Sequence, residues 1–297
     1  MLAARSQVLL AAVLFGTTGT ALALGPEGAS PISVGAARIL VGGTLLVGIT
    51  LASGGLRERS GWPLRLVLAA GAGVAVYQVA FFEAVDRTGV GVGAVVAIGS
   101  GPVIAGLIER MVDGAWPGRA WALATALATS GVAVLTVGAA GDSSLSVAGI
   151  GLALVSGAGY AGYTVIAKHL LRRGHGAIET MGAAFGAGAL LLLPVLALGD
   201  TAWLATPEGV ALALYLGVVP TALAYTLFAR GLRRLTAAEV TTIVLAEPLT
   251  AMVLGAAVLD ERIGAAGALG AALVLAGLAV LARPSRRADV RTVEVAP

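Results

Sequence analysis

Residues 245–258 run LAEPLTAMVLGAAV, and within that greasy stretch Glu247 stands directly before Pro248. A carboxylate in an apolar helix is costly, and proline removes a helical hydrogen bond, here the donor that the carbonyl of Val244 would receive. A carboxylate so placed can hold a substrate ammonium, carry a coupled proton, or accept the bonds that fix a kink. Thr250 shares its helix face at i+3. Arg38, inside the apolar run that starts at Pro31, is the second buried charge. It can snorkel outward, pair with an acid or bind a carboxylate, and we expect it to act mainly as a structural or gating residue. Side chains suited to lining a cavity recur elsewhere: Tyr77 and Gln78, Ser100 beside Gly101-Pro102, Tyr160 and Tyr163 one turn apart, and Tyr225 four residues after Thr221 beside Pro220. Pro102, Pro220 and Pro248 are the candidate breaks.

Other chemistry is poorly served. The chain has no cysteine, hence no disulfide, thiolate metal site or cysteine nucleophile. His169 and His175 fall among Arg172 and Arg173 and are expected to be solvated. Gly89-x-Gly91-x-Gly93 follows an apolar run, without the strand that a dinucleotide fingerprint needs. No catalytic site, metal or cofactor is expected.

The elements that must position these residues are membrane spans. Hydrophobic residues make up 58% of the 297 and charged ones 12%, about half of what a soluble domain carries. Ten apolar stretches, each long enough to cross a core of about 30 Å, lie near 7–24, 31–53, 66–85, 90–108, 119–137, 147–167, 179–198, 208–229, 238–258 and 263–282. With the N-terminus placed in the cytoplasm, sixteen of the 19 Lys and Arg fall in cytoplasmic segments and two, Arg87 and Arg262, outside. That bias follows the positive-inside rule and puts both termini in the cytoplasm. The basic pI near 9.7 is therefore a topology signal, and nucleic acid is not an expected partner. The first span resembles a signal peptide in outline, but its removal would break the charge alternation, so it is expected to stay.

Shifted by 146 residues, the chain matches itself. Residues 102–135 lie without gaps over 248–281, with Pro102 on Pro248, Gly118 on Gly264 and Gly131 on Gly277; the same offset pairs Gly71 with Gly217. Two halves of five spans follow: residues 1–140, residues 141–283, and a basic cytoplasmic tail at 284–297. Five is odd, so the second half enters the membrane upside down. Inverted repeats of this kind belong to secondary transporters, with the site at the midplane. The expected fold is an all-α membrane protein of ten transmembrane helices, with span four interrupted at Gly101-Pro102 as span nine is at Glu247-Pro248.

Glu247-Pro248, the turn Asp260-Glu261-Arg262 and GAALVLAG at 270–277 resemble the closing pattern of EamA-type members of the drug/metabolite transporter superfamily. So do Phe15-Gly16-Thr17-Thr18-Gly19 in the first span, Pro31 through Arg38 in the second, and GLALVSGAGYAGYTVIAKHL at 151–170. The first half departs from that pattern, since Gly101 stands where the glutamate would be. The resemblance implies a cavity lined by spans one, three, four, six, eight and nine, which adds Thr17 to the candidates for substrate binding. It implies an alternating-access carrier of the bacterial inner membrane, an exporter of small, amino-acid-like metabolites, as monomer or homodimer in the lipid bilayer. The rivals are an intramembrane transferase and a lipid scramblase or channel.

Overall fold

A computed structural model describes residues 1–55, 61–114, 116–137, 146–260 and 262–283. The expected boundary at 140/141, the loop at Asp142 and the tail at 284–297 lie outside the described residues. Described residues form helices and no strand: α1 (Leu2–Ala23), α2 (Pro31–Ala52), α3 (Leu64–Gly89), α4 (Val92–Asp113), α5 (Arg119–Val137), α6 (Val147–Arg172), α7 (Ala177–Leu198), α8 (Pro207–Leu232), α9 (Ala237–Val258) and α10 (Ala265–Ala282). Nine of them are long and apolar enough to cross a membrane; α5, the remaining one, is apolar over Arg119–Leu135.

Starts are marked in the sequence. Proline opens α2 and α8, where its missing N–H has no helical acceptor to lose. Ser146 accepts from the Gly149 N–H at 3.2 Å and Thr206 from the Gly209 N–H at 3.0 Å. Thr236 and Glu239 form a reciprocal capping box on α9.

Three details differ from expectation. Helix α3 runs past 85 to Gly89, so Asp86 and Arg87 are helical, with Arg87 paired to Glu83 at 3.2 Å. The turn into α4 is made by Gly89 alone, at φ 78° and ψ 159°, a conformation open to glycine. Helix α4 is not interrupted at Gly101-Pro102 but continues through it, whereas α9 does break, at Leu245-Ala246. One lost donor does not end a helix that its neighbours support, and the ring of Tyr160 lies against Gly101.

The two halves are related by a pseudo-two-fold. Helix α2 packs on α7 and α5 on α10, while α6 lies on α3 and α4 as α1 lies on α8 and α9. The register is that of the repeat. A Cβ built on Gly131 would lie 2.7 Å from the Gly270 oxygen and the Val274 nitrogen; one on Gly277 would lie 2.6 Å from the Ala124 oxygen and 2.9 Å from the Ala128 nitrogen. Every residue in the first contact is 146 from its mate in the second. Gly71 against Gly188 repeats likewise as Gly217 against Gly42. In lipid no hydrophobic force drives helices together, so these bare backbones supply the close packing that does. The protein is thus an all-α bundle of two inverted five-helix repeats.

Candidate functional site

Arg38 stands in the middle of α2 and is half-buried. Its Nη2 donates to Tyr77 Oη at 2.8 Å and to Gln78 Oε1 at 3.0 Å, tying α2 to α3. Gly35, one turn earlier, makes that seat possible: a Cβ there would overlap Gln78 Nε2 and the Phe82 ring. Gln78 is only 1% exposed, so its amide depends on these contacts.

Glu247 reaches the same space from α9. Leu245 (φ −59°, ψ −7°) and Ala246 (φ −73°, ψ −15°) leave the α-helix for a tighter turn, in which Leu245 N–H donates to Thr242 O at 3.2 Å and Ala246 N–H to Ile243 O at 3.0 Å. Glu247 then begins a fresh half-helix with Pro248, at the end where the helix dipole favours an anion. Gly16 of α1 lets that helix approach the break, since a Cβ there would lie 2.6 Å from the Glu247 carbonyl oxygen. Arg38 lies within Coulombic reach of Glu247, Tyr77, Tyr225 and Tyr163. Yet Arg38 and Glu247 belong to no ion pair within 4 Å; the pairs among the described residues are Arg5–Glu239, Arg87–Glu83 and Arg172–Asp113. The two opposite charges feel each other across a gap.

Aromatic rings cluster around the two charges. Tyr163, fully buried, has its ring 6.0 Å from Tyr77, 5.6 Å from Tyr160 and 6.2 Å from Tyr225. Tyr225 in turn packs on Phe185 at 4.2 Å and on Phe15 at 4.7 Å. Arg38 Nε and the Tyr160 hydroxyl have no protein hydrogen-bond partner, while the Tyr163 hydroxyl lies near Tyr225 and Thr164. Buried donors without partners are costly, and these two lie beside the buried charges.

Of the expected site residues, Arg38, Tyr77, Gln78, Tyr160, Tyr163, Tyr225 and Glu247 form this one cluster. Thr17 and Ser100 flank it instead, with their hydroxyls donating to Leu14 O at 2.7 Å and Ala97 O at 3.2 Å of their own helices. Ser100 packs on Gly157, which brings α4 against α6. Pro220 sits in a π-helical turn of α8, Val218–Leu223, where Thr221 Oγ1 donates to Leu216 O at 2.7 Å. That carbonyl is the one whose helical donor Pro220 lacks.

Sequence reasoning missed a second polar group, at the end of the bundle where α1 begins and α10 ends, the terminal end. Glu109 of α4, 4% exposed, accepts from the N–H groups of Ala237 at 2.6 Å and Ala238 at 3.0 Å, the first residues of α9. Trp121 Nε1 donates to Ala238 O at 3.2 Å and Thr242 Oγ1 at 3.1 Å. Lys168 is 7% exposed and caps α8 through Leu232 O at 2.6 Å and Arg233 O at 3.2 Å. His175 is likewise buried, stacked on Trp62 at 4.1 Å, because the α6–α7 turn folds back on the residues before α3. No local pattern announces these partners; only the capping box of Thr236 and Glu239 could be read beforehand.

Comparison with known proteins agrees with the architecture. The model of the EamA-like transporter family matches twice, over residues 4–137 and 147–283. The uncharacterized transporter YwfM of Bacillus subtilis (strain 168) is 41% identical over 283 residues, covering 94% of each chain. A protein of known crystal structure superposes with a TM-score of 0.79 at 21% identity, over 96% of this chain and 98% of that one, which shows a shared fold. With the repeat, the helix pairing and both family matches in register, this chain belongs to the EamA-like transporter family.

Proposed function

We propose that the protein is a secondary carrier, not an enzyme, that exports small zwitterionic metabolites of amino-acid type across a bacterial inner membrane by alternating access. Family membership supports transport of small molecules across a membrane. The observation that carries the substrate class is the pair of opposite charges, Arg38 and Glu247, held within Coulombic reach but unpaired among buried tyrosines. A substrate carboxylate fits the free Nε of Arg38 and a tyrosine hydroxyl, and its ammonium fits Glu247 and the tyrosine faces. With both ends occupied, neither protein charge is left uncompensated in the apolar bundle. Export, and a cytoplasmic position for both termini, rest on the Lys/Arg distribution and on the resemblance to metabolite exporters.

Purified protein in sealed liposomes tests this reading. Neutral amino acids should move saturably, while their methyl esters and N-acetyl derivatives, each lacking one charge, should move about tenfold more slowly or worse, the scale of one lost charge-assisted contact. Equal rates for the zwitterion and both derivatives would remove the substrate assignment.

A further inference from the structure

The polar contacts at the terminal end join the two halves, and their repeat mates cannot do the same at the other end. Glu109 of the first half holds the α9 N-terminus of the second, and Trp121 and Thr125 of the first half meet Ala238 and Thr242 of the second. Asp113 pairs with Arg172 at 2.5 Å beside them. Shifted by 146, Glu109 becomes Gly255, Asp113 becomes Leu259, Trp121 becomes Gly267 and Thr125 becomes Ala271, while Thr242 becomes Val96. The offset is the one that the glycine contacts of α5 with α10 confirm, so these are true spatial counterparts. The two ends of the bundle therefore differ at this layer: charged and hydrogen-bonding at one end, glycine and aliphatic in the counterpart positions.

We infer that Glu109, seated on the first N–H groups of α9 and backed by Trp121, is a one-sided latch that closes the terminal end of the cavity. This rests on the alternating-access reading above. The carboxylate satisfies two N–H groups that no helical carbonyl can reach, and the positive end of the α9 dipole favours it. The exposed Asp113–Arg172 pair adds little. Opening the terminal end separates α4 from the start of α9 and strands both the carboxylate and the N–H groups, whereas the opposite end joins the halves through a neutral bond, Trp203 Nε1 donating to Ser33 Oγ at 2.9 Å, with no charge to strand. The fold thus rests with its terminal end shut, and a substrate arriving there must offset the latch.

The chain has no cysteine, so single-cysteine reporters are available without further change. Thr241, 1% exposed and one turn beyond the latch toward Glu247, reports the terminal end; Thr17 of α1 reports the cavity from the opposite side. With a charged methanethiosulfonate reagent and no substrate, Glu109→Gln should speed modification of Thr241→Cys from the terminal side about tenfold and slow that of Thr17→Cys from the other. Trp121→Phe, which keeps an aromatic side chain and removes the N–H donor, should shift both rates the same way by less, and it decides the matter if Glu109→Gln fails to fold. Unchanged rates at both reporters in a folded variant overturn the latch. Faster Thr241→Cys with Thr17→Cys unchanged also overturns it, because that is local loosening and not a shift between two states. No amino acid enters the assay, so a wrong substrate class leaves this result intact.

Discussion

Replacing Arg38 with alanine is expected to lose stability and transport together. Its guanidinium holds Tyr77 Oη and Gln78 Oε1, so the truncated protein keeps two polar groups without their donor, one on a side chain only 1% exposed. Each buried unsatisfied group costs about 1–3 kcal/mol, and Glu247 loses the charge that balances it. Thermal unfolding in detergent should fall by several degrees, and flux in liposomes by at least about a hundredfold. Arg38→Lys restores a charge without the flat fork, so it should recover part of the stability and little of the flux. A stable Arg38→Ala protein with ordinary flux would show that neither the tie to α3 nor the charge matters.

Glu247→Gln is expected to separate what Arg38→Ala joins. Among the described residues the Glu247 carboxylate makes no hydrogen bond or ion pair, and Pro248 and the tight turn at Leu245-Ala246 are untouched. Stability should stay within about 1 kcal/mol of the parent. Transport of a zwitterion should fall by about a hundredfold, since the group that balances the substrate ammonium is gone. An N-acetylated substrate, which has no ammonium, should be indifferent to the change. Loss of folding in Glu247→Gln would instead assign the carboxylate to holding the kink.

Much of this architecture is legible in the sequence because its causes are local or periodic. Apolar runs of membrane length mark the spans, and Ser146, Thr206 and the Thr236–Glu239 box mark helix starts by side-chain chemistry. The inverted halves follow from Pro102, Pro248, Gly131 and Gly277 in register, because glycine at a helix crossing answers to the partner backbone. What could not be read depends on which elements dock. Pro102 and Pro248 occupy equivalent positions, yet only the second accompanies a broken helix. The neighbours differ: α1 presses Gly16 on the carbonyl of Glu247, while the ring of Tyr160 fills the place beside Gly101. Glu109 and Lys168 look like ordinary charges at helix ends until α9 and α8 present free backbone groups to them. Arg38, Tyr77 and Gln78 were each singled out by residue type, but their hydrogen bonds required the α2–α3 contact that Gly35 permits.

In the proposed mechanism one site between the two halves is reached from one side of the membrane at a time, and solute counterflow reports that alternation. Liposomes loaded with millimolar unlabelled neutral amino acid are diluted into buffer holding a trace of the labelled compound. A carrier whose site alternates must return loaded, so the label should accumulate inside above its outside concentration and then decay as the gradient runs down. Glu247→Gln liposomes, with equal protein incorporated, should show no such overshoot. Label that only equilibrates, with no overshoot at any internal concentration, would mean an open path and rule out an alternating site.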